Sequence, residues 1–257
     1  MNLDIYTTEM SKSVWDKAFF MDKIPGVKYV VDFGCADGAM IHYLAPLFPD
    51  IKFIGYDIND ELINRARNKI PFHGNEIYFT DIREIIAYMR MKPTVKSEEI
   101  CINFSSVLHE VYSSTGGIGV IMYLIDALKP KFITIRDMYC DEHLQFTTPT
   151  HEEVWGPLPA MKTKQFEKTF GPTTDWYNMT HFLMKLQWID NGWDEEMEEN
   201  YYSWTIEKFL DDIGGRYIPG FECRYQLPYL SEKWKSEYGW YNPDIHTHAQ
   251  FILRRDD

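Results

Sequence analysis

The sequence predicts an α/β fold: a mostly parallel seven-stranded sheet with an antiparallel edge strand, helices on both faces, and a helical, aromatic insert after strand five. Three observations carry this. Short runs rich in β-branched and aromatic residues recur at 29–33, 52–57, 76–80, 99–104 and 131–136. Stretches with helical apolar spacing separate them, at 38–47, 60–69, 82–90 and roughly 111–128. The glycine-rich run VVDFGCADGAM, residues 30–40, joins the first strand to the first of these helices. Strand, glycine turn and helix in that order is how α/β proteins build a nucleotide site at the C-terminal rim of a parallel sheet.

Taken in order, residues 12–23 (KSVWDKAFFMDK) predict a short amphipathic helix ahead of the sheet. Val30 and Val31 are β-branched and close the first strand, and Gly34, Ala36 and Gly38 are small at alternate positions, which suits a tight turn under close approach. Met40, Ile41, Leu44 and Leu47 then fall at helical spacing. The rhythm breaks near residue 139. Residues 139–200 are rich in Trp, Tyr, Phe, Met and His, as in WGPLPAM, TTDWYNMTHF and LQWIDNGW, and these aromatics either roof a pocket or form the core of a helical subdomain. The acidic run WDEEMEEN is expected to be a solvated helix face. Regularity returns with a helix over 203–213, closed by Gly214 and Gly215. RYIPGFECRYQL and DIHTHAQFILRR predict two strands flanking a helix around LSEKWKSEYGW, a final pair suited to an antiparallel edge. The expected organisation is a single domain over 1–257, with its core at 25–138 and 201–257 and an insert or lid at 139–200.

The bulk properties narrow the class of partner. The chain has 257 residues, 45% hydrophobic and 25% charged, an ordinary globular composition. A formal charge of −13 disfavours broad electrostatic binding to nucleic acid. Cys35, Cys101, Cys140 and Cys223 are far apart with no CxxC pair, as in buried thiols of a reducing compartment. The N-terminal segment MNLDIYTTEM lacks an apolar signal-peptide core, and no apolar run approaches the ~20 residues of a membrane span. The expectation is a cytoplasmic protein without membrane association.

The ends of the strands carry the chemistry. The second run, IKFIGYDIND, ends on Asp57, 25 residues after Asp32, where an acid accepts hydrogen bonds from ribose hydroxyls. The third ends on Asp81 followed by Ile82, and the fourth on Asn103-Phe104-Ser105. Asp57 and Asp81 also stand where an acid caps the following helix, and capping and binding are compatible.

In these residues the sequence resembles the class I S-adenosylmethionine-dependent methyltransferases, whose fold is Rossmann-like. The resemblance covers 29 to about 137 well and the last strands loosely. It implies that Asp32 and the turn Gly34, Cys35, Ala36 and Gly38 hold the methionine part of S-adenosylmethionine. It further implies that Asp57 grips the ribose while Ile58 packs on the adenine. Asp81 would then read the adenine amino group with Ile82 beside it, and Phe104 and Ser105 would lie near the methyl group. Ala36 departs from the commonest pattern, which has glycine there. A dinucleotide reading stays open, although GCADG does not complete GxGxxG and the third-strand acid has no role in it.

A methyl acceptor needs alignment and, where it carries a proton, a base. The candidates lie just beyond the fourth and fifth strands: His109 and Glu110 in SSVLHEVYSS, and Asp137 in TIRDMY, where pairing with Arg136 is the competing role. The resemblance adds that many small-molecule methyltransferases carry a similar Leu-His pair after the fourth strand. His246 and His248 alternate on the last predicted strand without a third ligand at metal spacing, so they are expected to be structural and no metal is expected. The expected function is methyl transfer to an O or N nucleophile of a small molecule. The alternative acceptor is RNA, for example tRNA, or a protein; a non-catalytic or NAD-binding protein comes third.

Overall fold

The computed structural model describes residues 2–114, 117–146, 158–239, 242 and 244–256. Its strands are Tyr29–Phe33 (β1), Lys52–Tyr56 (β2), Glu76–Phe79 (β3), Ile100–Ser105 (β4), Phe132–Met138 (β5), Tyr217–Tyr225 (β6) and His248–Arg255 (β7). They form one sheet in the order β3-β2-β1-β4-β5-β7-β6. β1, β2, β3, β4 and β5 pair in parallel, with Asp32 level with Gly55 on one side and Asn103 on the other. β7 runs the other way: Arg255 N donates to Lys131 O at the start of β5, and Tyr139 N, just past its end, donates to Thr247 O. Thr247 N donates to Tyr225 O and Asp256 N to Arg216 O, so β6 and β7 form the antiparallel edge pair.

The order reverses direction at β1, between β2 and β4. That is the switch point at which crossovers leave on opposite faces and open a crevice beyond the strand ends. The helices are Leu3–Ser11 (α1), Val14–Lys17 (α2), Ala39–Leu44 (α3), Asp60–Arg67 (α4), Ile82–Arg90 (α5), Leu108–Ser113 (α6), Gly117–Leu128 (α7), Ala160–Phe170 (α8), Trp176–Lys185 (α9), Trp193–Glu196 (α10), Ile206–Asp212 (α11) and Pro228–Tyr238 (α12).

The chain divides into two compact units. The larger comprises Leu3–Asp137, Trp204–Glu222 and Gln250–Asp257. All six residues of β4 are buried, as are the first six of β5, because helices cover both faces of the central strands. On one face Val30, Phe53, Cys101 and Phe132 pack with Phe20, Ile41 and Ile63. The alternating residues Val31, Ile54, Ile102 and Ile133 are fully buried on the other. Each such side chain contributes about 1.5–3 kcal/mol relative to exposure.

The smaller unit comprises residues 1–2, Met138–Ser203 and Cys223–Ala249. The aromatics of 139–200 pack largely on one another: Phe166, Trp176, Phe182, Trp193 and Tyr201 join Leu230 and Trp234 in one cluster. Trp176 is only 3% exposed within this cluster. The acidic run is not wholly a solvated face. Glu196 is buried with its carboxylate on the Tyr201 hydroxyl, and Trp193 and Met197 are buried beside it. Of WGPLPAM, residues 155–157 lie outside the described residues.

Three local expectations need correction. The helix predicted over 12–23 is a single turn, α2, followed by turns to Lys23, and α1 precedes it without a single buried residue, so no apolar spacing marked it. The helix predicted at roughly 111–128 is two: α6 begins earlier and ends at Ser114, whose backbone is extended. His246 precedes β7 instead of alternating with His248 on it, and its Nδ1 lies 2.7 Å from Asp141 Oδ2. Among the described residues no helix is long and apolar enough to cross a membrane.

Candidate functional site

Two cavities flank the turn after β1, both within the larger unit, and Gly34 lines both. The turn is held from beneath. Gly34 N and Cys35 N both donate to Tyr56 O, each at 2.8 Å. Ala36 N donates to Asp57 Oδ2 at 2.9 Å, and Asn59 N donates to Asp57 Oδ1 at 2.9 Å. Asp57 therefore ties the turn to the end of β2, while the helix cap of α4 is Asn59. Burial raises the Asp57 carboxyl above its ordinary value, and the two backbone donors pull it back. Gly34 has φ +76°, and a Cβ there would lie 2.6 Å from Val107 Cγ2; one on Gly38, at φ +72°, would lie 2.7 Å from Tyr78. The protein's own neighbours thus demand these glycines. Ala36 adopts φ +48°, a left-handed backbone that costs a non-glycine residue about 1–2 kcal/mol.

Asp32 lies under the smaller cavity, of about 30 Å³, which Lys17, Cys35, Ala36 and Ser105 also line. It belongs to a polar row across three strands. Thr134 Oγ1 donates to Asn103 Oδ1 at 2.8 Å, and Asn103 Nδ2 donates to Asp32 Oδ1 at 2.8 Å. The three are register partners on β5, β4 and β1, so the sheet itself sets these distances. Asp32 is 3% exposed, and burial pushes its carboxyl up to about 7 against the pull of Asn103 and Lys17. Burial likewise drives the Cys35 thiol well above its usual range, so it is no nucleophile at neutral pH.

The larger cavity, of about 280 Å³, is lined by Phe33, Tyr56, Asp57, Ile58, Val107 and Glu110, among others. Ile58 is 84% exposed, an apolar side chain left uncovered at the strand end. Asp81 and Ile82 line neither cavity. Asp81 caps α5 through Arg83 N at 2.8 Å and is gripped by the Arg83 guanidinium, which lowers its carboxyl below the usual range. Ile82 is buried at the start of α5. Phe104 also stays outside both: it is fully buried, with its ring 5.4 Å from Phe33 and 5.9 Å from Phe209.

The three catalytic candidates meet at α6. Asp137 Oδ2 accepts from Val107 N, Leu108 N and His109 N at 3.2, 2.7 and 3.2 Å, and its Oδ1 lies 2.7 Å from His109 Nδ1. Glu110 Oε1 lies 4.0 Å from His109 Nε2. Arg136, the competing partner for Asp137, donates through Nε to Asp16 Oδ2 at 2.8 Å and through Nη1 to Ser106 Oγ at 2.7 Å. Successive residues of a strand face opposite sides, which separates the two roles. Asp16 Oδ1 also accepts from Gln250 Nε2 at 3.0 Å, and this anchoring of α2 brings Lys17 to the cavity. Sequence reasoning passed over Lys17: it sits on one helical turn with no motif around it.

The raised Asp32 pKa has a measurable consequence. The folded state binds more protons than the unfolded between about pH 4 and 7, so stability is greatest below that window and falls as pH rises through it. Asp32→Asn removes this cost, offset in part because Lys17 loses a counter-charge. The variant's melting temperature should exceed the wild type's by a gap that widens from pH 4 to 7 and then levels, reaching at least ~3 °C. A gap independent of pH would contradict the assignment.

The sequence matches no protein-family model and no curated protein. Solved structures resemble the chain. A SAM-dependent methyltransferase from Anabaena variabilis ATCC 29413 shares 13% identity, with 95% of this chain and 83% of that one covered, at a TM-score of 0.51. An S-adenosylmethionine dependent methyltransferase from Mesorhizobium loti shares 14%, over 95% and 98%, at 0.50. The geranyl diphosphate C-methyltransferase from Streptomyces coelicolor A3(2), solved with Mg2+, geranyl diphosphate and S-adenosyl-L-homocysteine, shares 9%, over 94% and 79%, at 0.54. Identities this low speak for architecture alone, and the strand order and parallel register agree with it. The chain has the Rossmann-like fold of the class I S-adenosylmethionine-dependent methyltransferases.

Proposed function

We propose that the protein is an S-adenosylmethionine-dependent methyltransferase acting on an O or N nucleophile of a small molecule. The observation that carries this reading is Asp57: a carboxylate at the end of β2, fixed by two backbone donors and lining a 280 Å³ cavity beside the uncovered Ile58. Each carboxylate oxygen spends one lone pair on the backbone and keeps capacity for a pair of ribose hydroxyls. Ile58 offers a flat apolar surface to the adenine. On the other side of the turn, Asp32 suits the ammonium of the amino-acid end, with Gly34, Cys35, Ala36 and Gly38 shaping its channel. The Ser105 hydroxyl, buried with no hydrogen-bond partner among the described residues, is a polar group that a ligand would satisfy. Asp81 and Ile82 form the outer adenine rim in this reading, and Phe104 supports β4 from within the core.

S-adenosylmethionine, when bound, supplies a methyl group on a sulfonium. The chain's own residues position the acceptor and take its proton. Asp137 on Nδ1 of His109 keeps a proton there and makes Nε2 the basic nitrogen, the arrangement of a general base held by a carboxylate. Glu110 adds negative potential 4.0 Å from that nitrogen. Residues 139–200 serve in this reading as the acceptor-specific lid of a single domain whose core is 25–138 and 201–257. Its support is chain order, since the insert begins where β5 ends.

Calorimetry should give micromolar affinity for S-adenosylhomocysteine, on the order of −8 kcal/mol. Asp57→Ala should weaken it at least ~10-fold through loss of a charge-assisted contact and release of the turn. Tight NAD binding without affinity for S-adenosylhomocysteine would overturn the proposal. Labelled S-adenosylmethionine incubated with pools of metabolites, tRNA and protein identifies the acceptor. With that acceptor, His109→Asn should lower kcat by about 10²–10⁴-fold with cofactor affinity unchanged. A variant with normal kcat and a lowered melting temperature would assign His109 to structure.

A further inference from the structure

The 30 Å³ cavity beside Asp32 contains a second feature that the sequence motifs do not account for. Met10, Val14 and Lys17 close it from the N-terminal side, and Asp32 and Ser105 line the sheet side. Lys17 is 8% exposed, yet its ammonium makes no hydrogen bond and no ion pair among the described residues. Ser105, 7% exposed, has an unpartnered hydroxyl on the same cavity. A largely buried ammonium without a partner is disfavoured unless an anion reaches it. Burial, then Arg136, lower the Lys17 amine to about 8, while Asp32, Asp137 and Asp16 oppose that shift from nearby. None of these acids closes to ion-pair distance. An unpaired ammonium and an unpaired hydroxyl on one cavity, next to a carboxylate, are complementary to a zwitterion: Lys17 and Ser105 for its carboxylate, Asp32 for its ammonium.

The cavity's size adds a constraint. About 30 Å³ accommodates little more than a water molecule, far less than an amino-acid side arm. The residues that close it come from α1, which carries Met10, and α2, which carries Val14 and Lys17. α1 buries none of its nine residues, whereas the one-turn α2 is pinned by the buried Asp16–Arg136 ion pair and by Gln250. Asp4 holds α1 to Arg65 of α4 through an exposed ion pair, which is worth little.

We propose that Lys17, held in place on the anchored α2, binds the carboxylate of the cofactor's amino-acid end, and that α1 moves aside to admit this end and closes over it once that contact is made. The inference rests on the cofactor reading above and adds which group selects a ligand with a free carboxylate and which segment closes.

Two ligands separate the proposal from that reading. S-adenosylhomocysteine carries the amino-acid end; 5′-methylthioadenosine has the same adenosine and thioether without it. Calorimetry and hydrogen exchange on the full chain should show that Lys17→Met weakens S-adenosylhomocysteine at least ~10-fold and leaves 5′-methylthioadenosine within ~2-fold. S-adenosylhomocysteine, and not 5′-methylthioadenosine, should slow amide exchange over residues 3–11, and Lys17→Met should abolish that protection. Lys17→Arg, which keeps the charge, should restore part of the affinity, and circular dichroism checks that each variant is folded. Equal weakening of both ligands, or unchanged affinity for S-adenosylhomocysteine, overturns the role of Lys17. Equal protection of residues 3–11 by both ligands overturns the closure. Failure of both ligands to bind the wild-type chain overturns the cofactor reading, and this inference with it.

Discussion

A buried carboxylate with no cation in direct contact is the constraint around which the larger unit is arranged. Asp32 stands at the end of the central strand β1, where two neighbouring strands fix its position and the turn fixes its cover. Its hydrogen bond comes from Asn103, itself satisfied by Thr134, so the polar row is paid for within the sheet and leaves one face of Asp32 toward the cavity. The sheet cannot neutralise it. Lys17 approaches from α2, and Arg136 spends its guanidinium on Asp16 and Ser106. A protein selected for stability alone would place an apolar residue here. Holding an uncompensated charge is what a site for a cationic ligand requires.

The turn obeys the same logic from the other side. Asp57 spends its backbone-facing lone pairs on Ala36 and Asn59, which keeps residues 34–38 in a conformation that includes a strained alanine. Two carboxylates, one at each of two adjacent strand ends, thus frame a single glycine turn. Their environments differ: Asp32 is nearly sealed, while Asp57 opens onto a cavity roomy enough for a nucleoside. That asymmetry matches a ligand with a charged arm at one end and a bulkier, flatter group at the other.

Much of this was legible in the sequence because it rests on local pattern. β-branched runs ending in Asp32, Asp57 and Asp81 located three strand ends, since strand burial and helix capping leave strong signals at short range. What remained hidden depends on tertiary contact. Lys17 carries no motif, and only the docking of Asp16 on Arg136 and Gln250 brings it to Asp32's cavity. The pairing of Asp137 with His109 joins β5 to α6 across 28 positions, and spacing gave no hint of it. Asp81 looked equivalent to Asp57 in sequence, yet Arg83, two residues on, occupies its carboxylate. The aromatic density of 139–200 was visible, but whether Trp176 and Trp193 faced a ligand or one another was a matter of packing, and they are buried.

The central claim is that Asp32 is held for the ammonium of a ligand, and linked protonation tests it most directly. With its carboxyl near 7, Asp32 is largely protonated at pH 6.5, whereas Lys17, near 8, is already charged. An arriving ammonium favours the carboxylate, so binding must expel a proton. S-adenosylhomocysteine titrated at pH 6.5 in buffers of differing ionisation enthalpy should show release of a sizeable fraction of one proton, absent in Asp32→Asn. Binding heats that do not depend on the buffer in the wild-type protein would contradict the account.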